Sequence, residues 1–118
     1  MTRQILDQAF VHQAIQPAIA AFGAEILEEV RTAIAANEIV VVGMRQNPFP
    51  KKVRALLDAN GLKYKYLEYG SYLSEWRRRL ALKMWTGWPT FPMVFVKGML
   101  VGGYSDVKKL IESGELRR

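Results

Sequence analysis

An α/β fold with one mixed four-stranded sheet flanked by helices is the class this sequence predicts, on three observations. Ile39-Val40-Val41-Val42 is a near-continuous β-branched run, the pattern of a strand buried on both faces. Val94-Phe95-Val96 and Leu100-Val101 flank Lys97-Gly98, a turn signal, and form a hairpin pattern. Between them, Tyr64-Lys65-Tyr66-Leu67-Glu68-Tyr69 alternates enough for another strand. Its distance from Val42 fits a right-handed strand–helix–strand crossover, which makes those two strands parallel.

Residues 3–15 place Ile5, Leu6, Ala9, Phe10, Val11, Ala14 and Ile15 at helical spacing, up to the interruption expected at Pro17. A second helix is expected from about Ala18 to Ala35, with Ile19, Phe22, Ile26, Leu27, Val30 and Ile34 as its inward stripe. Gly23 weakens its middle and marks a candidate break. After the first strand, Asn47 is a good N-cap and Pro48 suits the first helical position, where a missing N–H costs nothing. Val53, Leu56 and Leu57 carry that helix to a stop at Asn60-Gly61. Ser74 is the expected start of the next helix and Thr86-Gly87 its end. After the hairpin, Val107, Leu110 and Ile111 give a last helix its inward stripe. The order is β-α-β-α-β-β-α with two helices in front.

At 118 residues the chain fits one domain, 23–118, preceded by a helical extension, 1–22. The extension is expected to pack on the domain, with a homodimer contact or a site for a partner protein as the sharper alternative. The longest apolar runs fall far short of a membrane span, and the N-terminus lacks a basic-then-apolar signal pattern. A soluble cytoplasmic protein with no membrane contact is the expectation. Net charge is +6, which favours anionic partners. No nucleic-acid motif accompanies it, so Arg77-Arg78-Arg79 and the terminal Arg117-Arg118 are taken as solvated faces rather than a nucleic-acid surface. The chain has no cysteine and one histidine, His12. That excludes thiol nucleophiles and thiolate ligation, and disfavours a histidine metal site.

Trp88-Pro89-Thr90-Phe91-Pro92 precedes the hairpin, and Gly102-Gly103 and Ser105-Asp106 follow it. Pro89 and Pro92 hold the backbone extended, and Phe91-Pro92 is a position suited to a cis peptide. Ser105-Asp106 has the composition of a helix N-cap. Together these stretches resemble the C-terminal half of a glutaredoxin, the Trp-Pro pair being most like the monothiol branch. The resemblance extends upstream to about Glu25 and implies a thioredoxin-like, glutaredoxin-type fold.

It also implies a site. Asn47-Pro48-Phe49-Pro50 stands where the family carries its cysteine motif, with Asn47 at the nucleophile's position. Thiol–disulfide exchange needs a thiolate as attacking atom, and the cluster chemistry of monothiol members needs cysteine sulfur. No catalytic residue and no iron–sulfur cluster on protein thiolates is therefore expected, and no cofactor is required. The family's binding groove for glutathione maps onto Arg45, Asn47, Phe49, Lys83, Thr90, Phe91, Pro92, Gly103, Ser105 and Asp106. In it, Arg45 and Lys83 would face carboxylates. The backbone of Phe91 would pair with the cysteinyl unit as an added strand does, and the helix start at Ser105-Asp106 would hold the γ-glutamyl end. Each also has a plain structural role: surface cations, a helix cap, and tryptophans (Trp76, Trp85, Trp88) that pack. The expected function is a binding or interaction module for glutathione or an extended peptide. The alternative is a glutathione-dependent enzyme, transferase- or peroxidase-like, in which Asn47 and the helix N-terminus activate the ligand's thiol.

Overall fold

The structure, a computed structural model, describes residues 3–71 and 74–117. Strand β1 is Ile39–Gly43, and every residue in it is buried. Because side chains alternate across a strand, this one run feeds two cores. Val40 and Val42 face helices α2 (Ala24–Ala36) and α4 (Trp76–Thr86), joining Ile26, Val30 and Leu82. Ile39 and Val41 face α3 (Pro48–Ala59) and α5 (Tyr104–Glu112), joining Val53, Leu57 and Val107. Each such buried aliphatic side chain contributes roughly 1.5–3 kcal/mol.

Strands β2 (Lys65–Glu68), β3 (Met93–Val96) and β4 (Met99–Gly102) complete the sheet, in the order β2-β1-β3-β4. β1 pairs with β2 in parallel, Val41 opposite Tyr66, as the crossover spacing requires. It pairs antiparallel with β3, Val41 opposite Val94, and β3 and β4 form the hairpin. Lys97 and Gly98 both have positive φ, the geometry a two-residue hairpin turn demands. Among the described residues no helix is long and apolar enough to cross a membrane.

Several local expectations are corrected. Residues 3–15 do not form one helix: they make two short 3₁₀ turns, Gln8–Phe10 and Gln13–Ile15. Asp7 Oδ1 accepts from the Ala9 N–H at 2.9 Å and His12 Nδ1 from the Ala14 N–H at 3.0 Å, so each turn starts at its own cap. No residue in these turns or in α1 (Gln16–Ala21) is buried, and a short helix without a packed face has little to hold it. Pro17 does not interrupt but sits in the first turn of α1, and Ile19 is exposed. The break falls at Gly23, with φ at +70°, where a Cβ would collide with that of Ala81. Met1 and Thr2 of the extension lie outside the described residues.

The other corrections concern helix starts and charges. α4 begins at Trp76, not Ser74, and Ser74 lies in the preceding turn. Arg79 is not on a solvated face: only 7 % exposed, it donates to the carbonyls of Tyr69 (2.9 Å) and Ser74. Of the terminal pair, Arg118 lies outside the described residues. Trp76, expected to pack, is 56 % exposed with the Arg77 guanidinium 5.0 Å from its ring centroid. The N-cap of α5 is Gly103 rather than Ser105-Asp106.

Candidate functional site

The chain leaves β1 at Gly43 and turns through Arg45 and Gln46 to Asn47, the N-cap of α3. Asn47 Oδ1 accepts from the Phe49 N–H at 3.0 Å, satisfying one of the orphan donors of the first turn. The other end of the same amide reaches across the molecule. Asn47 Nδ2 donates to the Phe91 carbonyl at 3.1 Å. The loop before β3 is therefore held directly against the start of α3. The Phe91-Pro92 peptide in that loop is cis.

The third wall comes from the β4–α5 junction. Asp106, at the third position of α5, accepts from the Gly103 N–H at 3.0 Å and closes the helix start back on itself. Gly102, with φ at +108°, leaves room for that carboxylate, which a Cβ there would strike. The three walls enclose an open cleft of about 420 Å³ at the C-terminal end of β1. Seven of the ten expected site residues line it: Asn47, Phe49, Thr90, Phe91, Gly103, Ser105 and Asp106. Pro92 lies buried behind the wall, its carbonyl close to Gly103.

The two expected cations stand differently. Lys83 approaches from α4 with its ammonium 5.7 Å from the centroid of the Phe91 ring, outside the lining itself. Arg45 turns away from the lining: its Nε lies 3.8 Å from Glu68 Oε2 on β2 and its backbone N–H donates to the Gly70 carbonyl. A cation that the sequence pattern does not single out is Lys52, one turn into α3, with its ammonium 4.9 Å from the Phe49 ring centroid. Two lining aromatics also go beyond the expected set. Trp88 packs against the core as expected and also lines the cleft, its Nε1 buried and without a partner among the described residues. Tyr104 packs its ring 6.3 Å from that of Phe49 across the opening. Its place between Gly103 and Ser105 is the signal that identifies it.

A larger cavity of about 480 Å³ lies at the other end of β1, between Asn37, Lys63, Tyr64 and Arg117. None of the expected site residues reaches it, so convergence favours the smaller cleft. Among the described residues no group of three or more His, Asp or Glu could hold a metal ion.

The glutaredoxin family model matches residues 39–101, from the start of β1 into β4. A glutaredoxin-like protein of Dictyostelium discoideum is 47 % identical over 95 residues, covering 80 % of this chain and 77 % of that protein. Human glutaredoxin-3 is 34 % identical over 96 residues, covering 76 % of this chain but only 28 % of the human protein. The crystal structure of a buckwheat glutaredoxin–glutathione complex superposes with a TM-score of 0.69 at 27 % identity, covering 80 % of this chain and 86 % of that one. The matched segment supplies two of the cleft's three walls, the cap of α3 and the loop before β3, while the third, at residues 103–106, follows it. A chain without a single cysteine thus belongs to the glutaredoxin family.

Proposed function

We propose that this chain binds glutathione or an extended peptide in the cleft between Asn47, Phe91 and the start of α5, without thiol–disulfide exchange. The observation that carries the reading is the convergence of those three segments, distant in sequence, on one open cleft. The chemistry of its walls fits such a ligand. The first N–H groups of α5 suit a carboxylate, and Lys52 and Lys83 add positive charge nearby. The net charge of +6 steers an anionic ligand toward the molecule. The buckwheat glutaredoxin, on the same fold, forms a crystalline complex with glutathione.

Redox exchange requires a sulfur nucleophile, and the chain supplies none. The enzyme alternative, in which Asn47 stabilises the thiolate of bound glutathione, would draw on an amide that already donates to Phe91 and accepts from Phe49. Calorimetry with reduced glutathione tests the proposal. Saturable heat is expected, weakened several-fold in Lys83→Ala. No heat at millimolar ligand would remove the small-molecule reading.

A second reading concerns residues 3–21, where Ile5, Leu6, Phe10, Ile15 and Ile19 are all exposed. It assigns them contact with a protein partner or a second copy. Light scattering of the full chain and of a chain starting at residue 23 tests it, since two monomers would argue against self-association.

A further inference from the structure

We infer that Asn47 tunes the ligand specificity of the cleft by competing for the one backbone acceptor that an added strand would use. The inference rests on the reading of the cleft as a glutathione or peptide site. A peptide unit that adds to an extended segment makes two hydrogen bonds, donating to its carbonyl and accepting from its N–H. In this molecule the Phe91 carbonyl already accepts from Asn47 Nδ2 at 3.1 Å. The amide cannot swing freely away, because its other end caps α3 through the Phe49 N–H at 3.0 Å. Leaving would abandon two bonds at once, one of them the helix cap.

The consequence is chemical selection. A ligand N–H directed at Phe91 must share that oxygen with the Asn47 amide, taking the second lone pair of an acceptor crowded by the first bond, and a donor held off its partner is costly. A ligand acceptor directed at the Phe91 N–H meets no competitor among the described residues. Nearby, Asp106 is likewise engaged, by the Gly103 N–H, while Lys52 and Lys83 stand over lining aromatics. The cleft therefore favours ligands that present acceptors, such as carboxylates and esters, over ligands that present a backbone N–H at Phe91. Reduced glutathione, whose cysteinyl N–H would point there, is a compromised ligand by this logic.

Asn47→Ser tests the inference. Serine keeps the cap, but its hydroxyl stops an atom short of the Phe91 carbonyl. Two ligands are titrated against both proteins by calorimetry: reduced glutathione, and an analogue with an ester oxygen in place of the cysteinyl amide N–H. Glutathione should bind Asn47→Ser roughly threefold to tenfold more tightly than wild type, the worth of one recovered neutral hydrogen bond. The ester should bind both proteins equally. In the same samples, the Phe91 carbonyl ¹³C resonance should move when the amide is removed, before any ligand is added. Equal or weaker glutathione binding by Asn47→Ser, with wild-type binding intact, overturns the inference and leaves the cleft reading standing. Absence of binding by both ligands to both proteins overturns the two together.

Discussion

Arg79 and Asn47 show how a single side chain can be assigned by its partners rather than by its neighbours in sequence. Arg79 stands in a run of three arginines, a pattern that spells solvent, yet it is buried and donates to two carbonyls in the turn before α4. Its neighbour Arg78 behaves as the pattern predicts, pairing at the surface with Glu25 and Glu75. The difference is geometric. Arg79 faces the Tyr69 and Ser74 carbonyls, and the first of these belongs to a buried residue. Arg79→Met should therefore destabilise the fold by about 2–4 kcal/mol, by stranding those carbonyls. Arg79→Lys should recover only part of that, since an ammonium lacks the guanidinium's spread of donors. Denaturant midpoints of the three proteins check this. A loss under about 0.5 kcal/mol in Arg79→Met would show that the turn does not depend on the contact.

At the scale of elements, β2 and the segment after it carry a pH dependence. Burial, then the nearby Glu68 carboxylate, pushes the Tyr66 phenol up to about 12 from its ordinary 10. Tyr69 is raised further, first by burial and then by the 2.7 Å hydrogen bond it donates to Glu29 on α2. In the unfolded chain both phenols titrate near their ordinary value, so above about pH 10 the folded state holds protons the unfolded state has lost. Their contribution to stability is intact below that point and falls as pH rises through the folded values. Melting temperature should therefore decline steeply in the alkaline range, and Tyr69→Phe should flatten the decline. An unchanged slope in that variant would remove Tyr69 from the explanation.

Legibility in the sequence also divides by element. β1, the hairpin, the Asn47 cap and the Asn60-Gly61 stop are all visible, because each is written in local chemistry: β-branched runs, a turn dipeptide, a capping side chain. The cleft is visible only as a convergence implied by resemblance, since Asn47 and Phe91 lie 44 residues apart and nothing local announces their hydrogen bond. Residues 3–15 mislead for the opposite reason. Their spacing is helical, but spacing states which face could be buried and not whether a partner surface exists. Tyr104 and Trp88 escape because an aromatic residue beside a turn looks alike whether it fills a core or lines a cleft.

For the whole molecule, the radius of gyration is 15.6 Å, against roughly 13–14 Å for a compact chain of this length. The excess, with a longest extent of 50 Å, matches an N-terminal segment that contributes no residue to the buried core before Phe22 packs against it. Removing residues 1–21 should change unfolding free energy by less than about 1 kcal/mol, which chemical denaturation of the shortened chain measures. A larger loss would mean the segment is part of the folding unit. The sheet and its four flanking helices, by contrast, exist here as the frame that holds three segments around one cleft.

Amide chemical-shift mapping of the full chain during titration with reduced glutathione puts that frame and its cleft to the proof. Shifts should concentrate at Phe91, Gly103, Tyr104 and Ser105 and at the Asn47 side-chain amide, leaving Gly61, Lys63 and Arg117 at the far end of β1 unmoved. A spectrum that stays still at millimolar ligand, or that moves at the far cavity instead, would contradict it.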